Sequence, residues 1–172
     1  AQSYASEIGC ANGNSIVQVD NTVLWIGTSK VYGKSIYAMD GIKPTRISND
    51  HIDRFLEASS LDYVTAYTYK FSGHLLYVLT LHDLNVTLVY DLHEKQWYQW
   101  TMYAMASNDQ PNAGTYYESY FRPTYYADVN GTPYCLDDDR GLLYILDTNT
   151  YTDNGAPIYY RSVTNRIDNG TT

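Results

Sequence analysis

Residues 73–100 read GHLLYVLTLHDLNVTLVYDLHEKQWYQW, and the fold of the chain turns on how this stretch is read. An apolar run covers residues 74–81, a polar break follows at His82-Asp83-Leu84-Asn85, and a second apolar run covers residues 86–90. Residues 91–96 are polar again, and Trp97-Tyr98-Gln99-Trp100 closes the unit. Each run is strand-length, rich in leucine, β-branched and aromatic side chains, and bounded by turn formers, so the stretch reads as an antiparallel meander.

The same grammar extends in both directions. Upstream, residues 1–14 are small and polar and read as a lead-in, and residues 15–19, 23–28, 35–39 and 43–47 read as four strands. They are separated by Asp20-Asn21, by a turn around Gly33 and by Asp40-Gly41, a strong hairpin signal. Residues 49–58 break the pattern: Ile52, Phe55 and Leu56 fall on one helical face, with Ser48, Asn49 or Asp50 to cap the start and Asp53 in the first turn. This is the one helix expected, and residues 63–70 return to strand. Downstream, residues 102–119 contain Pro111 and Gly114 and read as a long connection, a loop with some helix. Residues 120–127, 132–136, 142–147 and 158–164 read as four further strands.

Three of these strands end alike. Ile36-Tyr37-Ala38-Met39-Asp40, Leu88-Val89-Tyr90-Asp91 and Leu143-Tyr144-Ile145-Leu146-Asp147 are apolar-aromatic runs closed by aspartate, at spacings of 51 and 56 residues. An aromatic residue (Trp25, Tyr77, Tyr134) precedes each aspartate by 15, 14 and 13 residues, and a turn residue (Asn21, Gly73, Gly131) precedes each aromatic. A period near 50 residues with four strands per unit is that of a kelch-like β-propeller blade. The expected fold is therefore all-β and β-propeller-like, with about three four-stranded antiparallel blades, one short helix, and units at about 15–48, 63–101 and 120–164. Trp25, Asp40, Gly73, Tyr77, Asp91, Trp97, Gly131, Tyr134 and Asp147 are its structural repeat marks, each aspartate accepting from backbone N–H groups of the turn that follows. Propellers close with 4 to 8 blades, so residues 1–172 are expected to form a single propeller-like region of a longer chain. A β-sandwich or barrel with coincidental spacing is the competing architecture.

Composition bounds the function. The formal net charge of −8 opposes a surface that grips nucleic acid, since phosphate neutralisation needs clustered Lys and Arg. It allows DNA to pass nearby. The 20 tyrosines fit half-buried β surfaces and contact faces. Cys10 and Cys135 are too few and too far apart for a stapled scaffold and read as free, buried small residues, with a disulfide between them left open. No run approaches the length of a membrane-spanning helix.

Motifs for chemistry are absent from the sequence. It contains no G-x-S-x-G, no H-E-x-x-H, no phosphate-binding loop and no dinucleotide fingerprint. His51, His74, His82 and His93 have no partner at metal-ligand spacing, and His74, next to Gly73, reads as a turn histidine. Asp137-Asp138-Asp139 lacks a calcium-loop pattern and reads as a solvated hairpin turn. No catalytic residue, cofactor, metal or small-molecule substrate is expected.

The ordered series Glu7-Ile8-Gly9-Cys10, Val17-Gln18-Val19-Asp20-Asn21-Thr22-Val23-Leu24-Trp25-Ile26-Gly27, Arg46-Ile47-Ser48 with Ile52, and Ala66-Tyr67-Thr68-Tyr69 resembles the phage packaged-DNA stabilisation proteins. These are the tail accessory or hub proteins of short-tailed P22-like phages and prophages. Gly73-His74-Leu75-Leu76-Tyr77-Val78-Leu79-Thr80, Val89-Tyr90-Asp91 with Trp97, and Tyr144-Ile145-Leu146-Asp147 with Thr150-Tyr151-Thr152-Asp153-Asn154-Gly155 continue the resemblance, which spans most of residues 8–166. The family's chains are usually longer. Tyr98-Gln99-Trp100 stands where charged residues are usual, and residues 102–119 are peculiar to this chain. The resemblance implies a non-enzymatic virion protein of the tail or connector, present in the host cytoplasm during assembly. It would form a ring with copies of itself, contact portal and tail proteins, and stabilise packaged DNA below the portal. Two other classes remain open. A kelch-like protein-binding module predicts a peptide-binding face, and a carbohydrate-binding or glycan-cleaving propeller predicts an aromatic-lined pocket with two carboxylates.

Overall fold

The computed structural model describes residues 7–105, 116–137 and 140–158. It is all-β apart from one α-helix and two single 3-10 turns. The first sheet contains β1 (Gly9–Cys10), β2 (Val17–Val19), β3 (Thr22–Ser29), β4 (Gly33–Asp40) and β5 (Lys43–Arg46). β3, β4 and β5 form a meander, with Trp25 opposite Tyr37 and Asp40 opposite Lys43. β1 and β2 share the other edge of β3. The lead-in thus differs from expectation: Gly9 and Cys10 pair with Thr28 and Gly27. A 3-10 turn, Gly13–Ser15, delays β2 until Val17. Gly27 is what permits this crossing. A Cβ there would lie 2.7 Å from Ile8 Cγ2 and 2.7 Å from the Tyr37 ring.

Helix α1 (Asp50–Ala58) follows. Asn49 caps it by accepting from the amides of His51 and Ile52, and Ile52 and Leu56 are buried beneath it. Arg46 anchors its first turn through Asp50 and Asp53. Lys34 Nζ donates to the carbonyls of Leu56 and Ser59 at its other end, where a cation complements the helix dipole.

The second sheet runs β6 (Val64–Phe71), β7 (His74–Leu81), β8 (Val86–Asp91), β9 (Gln96–Met105) and β10 (Tyr116–Tyr120), each antiparallel to the next. The opening stretch supplies its centre. The described ends of the expected 102–119 loop are strand, because Met105 pairs with Tyr116 and Thr101 with Tyr120, while residues 106–115, with Pro111 and Gly114, lie outside the described residues. Pairing against an existing sheet edge satisfies backbone groups that the local sequence leaves ambiguous. The third sheet runs β11 (Tyr125–Val129), β12 (Thr132–Asp137) and β13 (Leu142–Ile145), so the strand expected from residue 120 begins at Tyr125. β14 (Thr152–Asp153) and β15 (Ala156–Pro157) make a small hairpin. Residues 159–164 of the last expected strand lie outside the described residues.

The sheets stack by their faces, and alternation explains how. From one face of the second sheet Tyr77, Leu79, Leu81, Leu88 and Tyr90 join Leu24, Ile26 and Ile36 of the first sheet and Ile52 and Leu56 of α1 in one core. From the other face Tyr67, Tyr69, Leu76, Val78 and Val89 form a second core with Tyr126 and Leu146 beyond it. A strand buried on both faces needs apolar side chains at consecutive positions, hence the nearly unbroken runs of β7 and β8.

Aromatic side chains, Tyr67 and Tyr77 buried and Trp97 half-buried, also tie the second sheet to the segments packed on it. Tyr77 Oη donates to the Ser15 carbonyl at 2.8 Å, Trp97 Nε1 to the Ile47 carbonyl at 2.9 Å, and Tyr67 Oη to the Pro123 carbonyl at 3.1 Å. Tyrosine and tryptophan thus bring apolar area and a donor that satisfies a carbonyl across the joint. Cys10 is exposed and Cys135 buried, both with free thiols, and burial pushes the Cys135 thiol up to about 12.

Candidate functional site

The repeat marks do not converge on one centre; each lies within its own sheet or at its joints. Trp25 is half-buried on the first sheet and stacks on Tyr37 with centroids 5.9 Å apart, while Asp40 is exposed at the end of β4. Gly73 and Gly131 hold φ values of 87° and 80°, which favour glycine in tight hairpins. Tyr77 is fully buried, and burial raises its phenol pKa. Trp97 packs on Tyr90 at 4.9 Å, and Tyr134 is half-buried in β12.

The aspartates at the strand ends differ. Asp147 is exposed, and its Oδ1 accepts from the Asn149 amide while Oδ2 accepts from Thr150 Oγ1. Those bonds hold its carboxyl below the usual range. Asp91 is 3% exposed, and its Oδ1 accepts from the amides of His93 and Glu94 at 2.8 and 3.1 Å. Its Oδ2 meets His74 Nδ1 at 2.6 Å. Burial would raise this carboxyl, but the two amides and His74 outweigh it and hold it below the usual range. Glu94 stands beside this pair, with Oε2 accepting from Tyr98 Oη at 2.9 Å. His74, Asp91 and Glu94 form a three-residue group with metal-ligating atoms within 4.8 Å of one another.

Sequence spacing missed this group because His74 and Asp91 belong to different strands. The pairing of Leu76 with Asp91 places His74 two residues along the same face of the sheet. The Asp137 reading is corrected as well. Its side chain is fully buried, with Oδ1 accepting from the Arg140 amide and Oδ2 from Tyr144 Oη, whereas residues 138–139 lie outside the described residues.

An open cleft of about 420 Å³ lies between the second sheet and the segment that follows β13. Tyr69, Phe71, Trp100 and Phe121 line it with Asp147 and Asp153. Burial raises the Asp153 carboxyl above its ordinary value, opposite to Asp147. The volume lies in the range of small-molecule sites. Elsewhere, Tyr125, Val129, Leu136, Leu143 and Ile145 share one exposed apolar face of the third sheet. Among the described residues no helix is long and apolar enough to cross a membrane.

Comparison with known proteins places this geometry in context. The family model described as bacteriophage P22 Gp10, beta-propeller, a phage-stabilisation family, matches residues 1–151. No curated protein matches the chain.

Proposed function

The chain belongs to the phage-stabilisation family of the bacteriophage P22 Gp10 β-propeller, and from that membership we propose that it works in the tail or connector of the virion, below the portal. There it extends the tail tube and keeps packaged DNA from leaking. The match over residues 1–151 carries this reading and makes the chain a phage structural protein. Its role is assembly, without catalysis. Copies of the chain contact one another in a ring and meet portal and tail proteins, each copy reusing one interface. The exposed apolar face of the third sheet offers contact area for such packing. The net charge of −8 suits a protein that DNA passes without being gripped. The test is a phage or prophage deleted for this gene. Its particles are expected to package DNA and then lose it to added nuclease, with retention restored by the gene in trans. Particles that retain DNA and carry complete tails without the protein would overturn the reading.

The cleft between the second sheet and the segment after β13 favours one further reading, glycan binding. Aromatic faces beside two carboxylates suit a sugar's apolar C–H face and its hydroxyls. A glycan array with a hydrolysis assay, run on the protein and on Trp100→Ala, tests it. Binding lost in the variant supports a sugar site, and an array without hits removes it.

A further inference from the structure

We propose that His74, Asp91 and Glu94 form a three-ligand site for a divalent transition-metal ion of the zinc class, at the turn-bearing end of the second sheet. The donor set is one imidazole and two carboxylates, which suits zinc and its neighbours. Glu94 has one oxygen engaged by a protein donor, whereas both oxygens of Asp91 are engaged, and a bound ion would replace the contact of its Oδ2 with His74. The turn amides of His93 and Glu94 hold Asp91 Oδ1, and Oδ2 faces His74. Tyr98 Oη holds Glu94 Oε2, leaving Oε1 for the ion. Such outer partners orient ligands in metal sites.

The repeat supplies an internal control. At Asp147 the same strand-end aspartate is satisfied by Asn149 and Thr150 of its own turn. The turn geometry therefore requires neither a histidine nor a second carboxylate; burial of Asp91 calls for a partner at its Oδ2, which His74 supplies, and leaves Glu94 beside the pair without that cause. An ion asks these groups to rearrange. Ligands about 2.1 Å from a tetrahedral ion lie about 3.4 Å apart, so the 2.6 Å contact of His74 with Asp91 must open while Glu94 closes from within the present 4.8 Å. Glu94 is exposed and the His74 side chain is 41% exposed, so both can move while buried Asp91 stays fixed. Water would complete the coordination. The bound ion would pin the hairpin turn at Gly73 to the turn after Asp91.

The probe is zinc chloride, titrated calorimetrically into the purified full chain at neutral pH, with thermal unfolding followed in zinc and in EDTA. The expected result is one ion per chain and a higher midpoint in zinc. His74→Ala and Glu94→Gln should each weaken binding at least about tenfold and abolish the midpoint shift, and Tyr98→Phe should weaken binding less. His51→Ala serves as the control and should bind as the parent does. Both ligand variants change side chains open to solvent, and circular dichroism checks that they fold. Absence of binding, binding unchanged in His74→Ala and Glu94→Gln, or binding lost in a control variant would each overturn the site.

Discussion

The second and third sheets use the same meander and close a strand with the same aspartate, yet they meet opposite surroundings. In the second sheet both faces are covered, and Tyr77, Val78, Leu79 and Val89 are fully buried. In the third sheet one face packs Tyr126 against the Tyr67 and Tyr69 rings, while the other leaves Leu143 66% and Ile145 56% exposed. Apolar content alone does not separate them, since LLYVLTL and LLYIL read alike. What separates them is whether a second sheet lies on each face, so the second sheet, covered on both faces, carries the stability and the third sheet carries the available surface.

The sharpest way to break this comparison is a matched pair of truncations. Leu79→Ala removes a fully buried side chain from the two-sheet core and should cost about 2–5 kcal/mol in urea unfolding of the full chain. Leu143→Ala, on the open face, should change stability by no more than about 0.5 kcal/mol. Equal costs would mean that the third sheet is covered in solution, and the contrast would fall.

The joints come next. Tyr77→Phe and Tyr67→Phe leave the Ser15 and Pro123 carbonyls without these donors while keeping the rings. Each should cost about 1–3 kcal/mol, read from the same urea midpoints. A cost in Tyr77→Phe alone would show that the third sheet is held by ring packing rather than by the Tyr67 hydrogen bond.

The strand-end aspartates give a smaller, pH-dependent contrast. Asp91 has a depressed carboxyl in the folded state, so its contribution is present above the unfolded value of about 4 and is lost as the pH falls through the folded one. Asp91→Asn should therefore be destabilised at neutral pH and flatten the loss of stability on acidification. Asp147→Asn should do the same more weakly, its aspartate being exposed. Thermal midpoints across an acid titration decide it, and identical profiles would show that burial at Asp91 adds nothing. Asp153 has the opposite sign. Its raised carboxyl means that charging it above the folded value costs stability, so Asp153→Asn should gain slightly at neutral pH and nothing in acid.

Several features were legible because their causes are local. Ile52, Phe55 and Leu56, with a cap among Ser48, Asn49 and Asp50, marked α1, and Asp40-Gly41 marked the hairpin between β4 and β5. Others were illegible because their causes are distant. Gly9–Cys10 is a strand only because β3 offers an edge and Gly27 makes room. The pairing of β9 with β10 replaces the two ends of an expected loop whose proline and glycine lie outside the described residues. Asp137 looked solvated beside two further aspartates but is buried under the Tyr144 hydroxyl. His74 and Asp91 lie 17 residues apart, a separation that no local spacing rule joins.

By itself, then, the amino-acid sequence determined the all-β class, the helix with its cap, the glycine hairpins and the ordered series that resembles the phage-stabilisation family. Backbone preference, side-chain alternation and turn chemistry act over a few residues and are written in neighbouring letters. Only the tertiary structure decided which faces are covered, which tyrosine hydroxyls reach across the joints, and that His74, Asp91 and Glu94 meet. Those outcomes depend on strand register and on stacking between sheets, where one residue's environment is set by others 17 to 62 positions away.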